Sequence, residues 1–180
     1  MLAFGACVVG SPEVCFYQVI KPISERFEAE ALAMSGLDRA MLMEHGYGPA
    51  ESMRRLDAWI TRTAERYASK PVFVGNNAPF DWMFTCWYFN HFLGRNPFGH
   101  AALDIRSYAM GRLGVSWSDS SLMKLPPAYR LKSDLSHNAL DDARQQADVF
   151  HRLMAPYVAT EDRDSHLCLP GGMCLWCSND

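Results

Sequence analysis

The sequence predicts an α/β domain: a mixed sheet, antiparallel at its start and parallel in its continuation, with flanking helices. Three observations carry that prediction. Two short apolar, β-rich runs, residues 2–9 and 14–20, are separated by the turn-forming Gly10-Ser11-Pro12-Glu13. Helical and strand-like segments then alternate along the chain. At 180 residues, 49% of them hydrophobic, the chain is long enough for one core. One domain is therefore expected over residues 1–157, followed by a polar, Cys-containing tail over 158–180, expected to be flexible.

The two opening runs form a hairpin, and Lys21-Pro22 ends its second strand. Residues 23–48 are mixed, with Gly36, Gly46 and Gly48 as punctuation and a short helix near 38–44. Gly48-Pro49 opens a clear helix with Met53, Leu56, Ile60, Ala64 and Tyr67 on one face. Pro71-Val72-Phe73-Val74-Gly75 is a short buried strand. The helix that follows, 79–93, is apolar almost all round, which predicts a central position and explains most of its aromatics (Trp82, Trp87, Tyr88, Phe89, Phe92) as core. A further strand over 102–106 leads into a helical turn near 107–113. Pro126-Pro127 marks a loop to Ser136, and the last helix runs from about Asn138 to Met154 with a stripe of Leu140, Ala143, Ala147, Phe150 and Met154.

The net charge of -3 provides no global basic field, which argues against a tight non-specific DNA-binding protein. It argues less against an enzyme that meets phosphates through metal ions. Residues 1–9 are apolar but hold no Lys or Arg, so they read as a strand rather than a leader. No run is long enough to span a membrane, and the cytoplasm is the expected location. Cys7, Cys15 and Cys86 lie in apolar runs and read as small buried hydrophobes.

Three residues stand out chemically. Asp142 falls at the edge of the apolar arc of the last helix, whereas Asp141 falls on the solvated arc. A carboxylate on a core-facing edge needs a compensating charge or hydrogen bonds, and a metal ion provides that charge. The plainer reading is a carboxylate favoured near a helix N-terminus. Asp81 is the one charged residue between Lys70 and His91 and sits in the first turn of an apolar helix. It is either a first-turn carboxylate with Asn77 or a neighbour as cap, or a ligand at the carboxyl edge of the preceding strand. His137, just before the helix of Asp142, is either a loop histidine or a base that takes a proton from water.

Taken together, Gly75-Asn76-Asn77-Ala78-Pro79-Phe80-Asp81 and His137-Asn138-Ala139-Leu140-Asp141-Asp142-Ala143 resemble the DEDDh 3'-5' exonucleases, the family of ribonuclease T, oligoribonuclease and the proofreading subunit of bacterial replicative polymerases. The resemblance spans nearly the whole chain up to about Pro156. It implies a ribonuclease H-like fold, two Mg²⁺ or Mn²⁺ ions, and stepwise removal of 3'-terminal nucleotides from single-stranded RNA or DNA. By position it implies Asp81 and Asp142 as metal ligands, His137 as general base, and Asn77 as a residue that helps hold the terminal nucleotide. Arg130 and Lys132, just upstream of His137, are candidate phosphate contacts, with a solvated loop as the alternative. Dimerisation is common in the resembled family, so a homodimer is a further expectation by analogy.

That family carries a first motif, D-x-E, on a central strand directly before the hairpin. No D-x-E occurs among the 180 residues. The first central strand is expected to be missing, leaving two unpaired edges at a gap and impaired activity in the chain as written. Met1 is expected to be an internal methionine, with the working start about fifteen to thirty residues earlier. The alternative is a catalytically inactive module of the same fold that binds nucleic acid or a partner. Finally, His166, Cys168, Cys174 and Cys177 form a loose zinc-type set in the tail.

Overall fold

The computed structural model describes residues 1–155. The expected domain end at 157, the tail and the zinc-type set His166, Cys168, Cys174 and Cys177 lie outside the described residues.

The hairpin forms as β1 (Ala3–Val8) and β2 (Ser11–Val19). Its turn is tighter than the expected four residues. Val8 pairs with Ser11, so Val9-Gly10 makes the loop, and Gly10 takes φ 81°. Only a residue without Cβ adopts that angle cheaply, which is why the chain reverses there and not at Pro12. Pro12 and Glu13 are absorbed into β2 opposite an irregularity between Cys7 and Val8.

Helices α1 (Ala29–Ser35) and α2 (Arg39–His45) follow. The sequence reading missed α1, although Ala, Glu, Leu and Met are all strong helix formers and Gly36 ends it in the left-handed conformation at φ 63°. Asp38 caps α2, accepting the Ala40 and Met41 N–H groups. The long helix α3 (Pro49–Arg66) starts at Pro49 as expected and buries Ser52, Met53, Leu56 and Ile60.

The second strand pair is β3 (Phe73–Gly75) and β4 (Ala102–Asp104), parallel, with Gly75 opposite Asp104. Between them runs α4 (Ala78–Leu93). It is not central in the way its composition predicts. It packs against α3, β3 and β4 through Ala78, Thr85, Tyr88 and Phe89, while Phe80, Met83 and Trp87 remain 59%, 56% and 46% exposed. Among the described residues α3, β3 and β4 are its main neighbours, so part of its apolar surface stays exposed, Phe80 and Phe84 on the side of the cavity described below. Helix α5 (Ile105–Leu113) follows β4 without a loop, and α6 (Ala139–Met154) closes the described chain. The buried stripe of α6 is Ala147, Val149, Phe150 and Leu153; the expected stripe is rotated, and Met154 is exposed.

Two clusters make the core. One joins Ile105, Ala109, Leu122, Leu125 and Leu131 to the end of α6. The other joins Ile20, Met53, Leu56 and Ile60 to Tyr88 and Phe89. Cys7, Cys15 and Cys86 are free and half-buried rather than fully buried.

The architecture is mixed α/β, and its two strand pairs do not form one sheet. Among the described residues β1 pairs only with β2, and β3 only with β4. The whole of β1 and residues 71–75 instead line one cavity of about 1290 Å³, with Ile60 and Ala64 of α3 on one wall and Ala143, Ala147 and Phe150 of α6 on another. Helix α6 lies directly on β1 because of Gly5. A Cβ there would fall 2.2 Å from the Ala139 carbonyl carbon, so no other residue lets the start of α6 come this close.

Candidate active site

Asp81, His137 and Asp142 all line this cavity. Each is placed by a local device. Helix α6 begins where Asn138 caps it: the Asn138 side-chain oxygen accepts the Leu140 N–H at 3.0 Å and the Asp141 N–H at 3.2 Å. His137 precedes the cap in the left-handed region, at φ 61°, and its side chain is exposed. Asp142 Oδ1 accepts the Ser136 N–H at 2.9 Å and the Ser136 hydroxyl at 3.3 Å. That folds the 136–138 loop over the first turn of α6. The other oxygen of Asp142 has no hydrogen bond among the described residues.

Asp81 lies in the first turn of α4. No hydrogen bond or ion pair reaches its carboxylate among the described residues. The residue is exposed and lines the cavity, and partial desolvation of its carboxylate raises its pKa above the usual aspartate value. Asp81 and Asp142 thus bring two carboxylates to the lining of one cavity, and among the described residues neither has a cationic partner across it.

The turn that launches α4 is held from a distance. Asn77 stands at the N-cap position in the left-handed conformation, φ 56° and ψ 46°, and its side chain caps nothing. The cap is Asp104, at the end of β4. Its Oδ1 accepts the Ala78 N–H at 2.9 Å. Its Oδ2 accepts the Ser107 N–H at 2.9 Å and the Ser107 hydroxyl at 2.6 Å, capping α5 as well. Burial pushes the Asp104 carboxyl up, but the Ser107 hydroxyl and the backbone N–H groups of Ala78, Ser107 and Arg106 outweigh it and hold the group below the usual value. A second tether comes from α6: Gln146 Oε1 accepts the Asn76 N–H at 3.0 Å.

The sequence reading did not single out Asp104, Gln146, Ser136 or Gly5. For Asp104 a local signal existed, since Asp104-Ile105-Arg106-Ser107 is a helix-start pattern. Its reach to Ala78 had none. Asn77 is exposed and lies outside the lining of the cavity, as do Arg130 and Lys132. Lys132 borders a smaller cleft with Arg144, Gln145 and Asp148.

The donor set is oxygen-rich, which suits Mg²⁺ or Mn²⁺. Magnesium keeps several waters and is commonly held by one or two carboxylates plus substrate phosphates, and Asp81 with Asp142 fits one such ion in part. Among the described residues no group of three His, Cys, Asp or Glu side chains stands close enough to hold a metal ion by itself. Glu28 is the one further carboxylate among the described residues that lines the cavity, and it completes no such group.

Among the described residues no helix is long and apolar enough to cross a membrane. No family model matches the chain. Over 150 residues the chain is 39% identical to the 3'-5' DNA exonuclease Cap18 of Escherichia coli, an alignment that spans 83% of this chain and 80% of that protein. Identity of that extent over most of both chains means that this chain belongs to the 3'-5' exonucleases.

Proposed function

We propose that this 3'-5' exonuclease acts on the 3' end of DNA strands, and that Asp81, Asp142 and His137 carry the reaction. The convergence of two carboxylates and an imidazole on one cavity is the observation that supports it. The relative's name favours DNA over RNA. Asp81 and Asp142 hold Mg²⁺ or Mn²⁺, which supplies Lewis-acid activation and charge neutralisation at the scissile phosphate. His137, exposed at the cavity rim, takes the proton of the attacking water. The loop that carries His137 is tied to the first turn of α6 through Ser136 and Asp142.

Two carboxylates fill only part of the metal shell that the resemblance implies. The reading therefore includes an extended segment between β1 and β3, paired to both edges, which brings the two carboxylates of a D-x-E motif. Among the described residues neither edge is paired, both strands line the same cavity, and apolar side chains of α3 and α6 (Ile60, Ala64, Ala143, Ala147 and Phe150) stand among its walls. A strand buried on both faces reads as a nearly continuous apolar run, which suits such walls.

The test follows a 5'-labelled DNA oligomer and its RNA counterpart in Mn²⁺. It compares the 180-residue chain with the same chain extended by the in-frame residues encoded upstream of Met1. A ladder of progressively shortened DNA, stronger with the extension and absent in Asp142→Asn, is expected. Shortening that persists in Asp142→Asn contradicts the assignment of the site. An extension that contributes neither a strand nor activity contradicts the strand.

A further inference from the structure

Main-chain hydrogen bonds join β1 to β2 and β3 to β4, and among the described residues none joins the two pairs. This matters for the site. Asp142 rides on α6, which lies on β1; Asp81 rides on α4, which β3 launches. Where Asp81 stands relative to Asp142 therefore depends on side-chain links between the two halves.

Gln146 is such a link. It sits one helical turn beyond Asp142 on the same face of α6, and both line the cavity. Its Oε1 accepts the N–H of Asn76, 70 positions earlier in the chain, at 3.0 Å. Asn76 is the first residue of the turn that carries the chain from β3 into α4. The next residue, Asn77, holds a left-handed conformation that a side-chain-bearing residue adopts only when its surroundings insist. On one side of Asn77 the Gln146 amide fixes the Asn76 N–H. On the other the Asp104 carboxylate fixes the Ala78 N–H. Loss of Gln146 would leave a half-buried N–H without a partner and free the turn to relax.

We propose that Gln146 is a positioning residue, and that its hydrogen bond to Asn76 fixes Asp81 of one half opposite Asp142 of the other. The proposal rests on the reading that these two carboxylates share a divalent ion. It adds the residue that makes them a single site.

The experiment is a Mn²⁺ titration of ¹⁵N-labelled protein, read as paramagnetic broadening of the amides flanking Asp81 and Asp142, with exchange of the Asn76 amide measured alongside. In the parent the two sets of amides lose intensity together, along one curve. Gln146→Met keeps the length and removes the acceptor. It needs about ten- to a hundredfold more Mn²⁺, the range seen when a residue that orients a metal ligand is removed, and its Asn76 amide exchanges faster. Gln146→Asn, too short to reach, repeats the loss should the methionine variant fold poorly. A Gln146→Met or Gln146→Asn protein that follows the parent curve overturns the positioning role alone. A parent in which the two sets never broaden together overturns the shared ion and, with it, this role.

Discussion

Asp104 caps Ala78, the first residue of a helix that starts 26 positions earlier in the chain, through a 2.9 Å hydrogen bond from the Ala78 N–H. The same carboxylate caps the helix that follows it, through Ser107. One side chain at the end of β4 thus sets the starts of α4 and α5, and with α4 the place of Asp81.

Asp104→Ala removes both caps. Each cap contributes about 1 kcal/mol, and a buried Ala78 N–H without a partner costs about 1–3 kcal/mol more. A loss of about 3–5 kcal/mol in urea unfolding is expected on those grounds. Asp104→Asn keeps an acceptor and loses less. The folded-state pKa of Asp104 is depressed, so its contribution is complete above the unfolded aspartate value of about 3.9. That contribution disappears as pH falls through the lower folded value. Unfolding curves from pH 6 down to pH 2 should show this loss in the parent and not in Asp104→Ala.

Gly5→Ala tests how α6 is seated. The added methyl meets backbone, not a movable side-chain end, at 2.2–2.4 Å. Helix α6 must shift, at a cost of about 1–3 kcal/mol or more. A melting temperature unchanged from the parent would mean that α6 does not rest on β1 at this point.

Asp81→Asn should separate stability from activity. The partly desolvated Asp81 carboxylate has a raised pKa, so its ionised form costs folding energy in the metal-free protein above that value. Stability therefore rises as pH falls through the folded-state value, and Asn removes this dependence. Metal-free Asp81→Asn is expected to be at least as stable as the parent, with solvent at the exposed residue keeping any gain small, while DNA shortening is lost. A clearly less stable variant would show that the carboxylate has a structural partner.

Much of this fold was legible in the sequence because its signals are local. The Gly10 turn, the Gly48-Pro49 helix start, the start of α6 near Asn138 and its helical period all depend on residues a few positions apart. The outward face of α4 was not legible. An apolar helix predicts burial, and only the arrangement of α3, β3 and β4 shows how much of it they leave exposed among the described residues. At the site, Asp81 and Asp142 were readable as carboxylates in apolar contexts, and His137 by its place before a helix. Asp104, Gln146 and Gly5 act on Ala78, Asn76 and Ala139, partners far along the chain, so no pattern in their own neighbourhoods announces them.

His137→Ala leaves folding within about 0.5 kcal/mol of the parent, because the imidazole is exposed and has no hydrogen bond among the described residues. Its DNA-shortening rate in Mn²⁺ is expected to fall about 10²- to 10⁴-fold, the range for loss of a positioned general base. A rate within threefold of the parent would remove His137 from the reaction.

The most direct measurement is the rate of 3'-end release from labelled DNA by the upstream-extended protein and its Asp142→Asn variant, side by side in Mn²⁺ and in excess chelator. The account predicts stepwise shortening from the 3' end by the extended protein in Mn²⁺ alone, and none by the variant. Equal rates for the two proteins, or shortening that survives the chelator, would contradict a site built on Asp81 and Asp142.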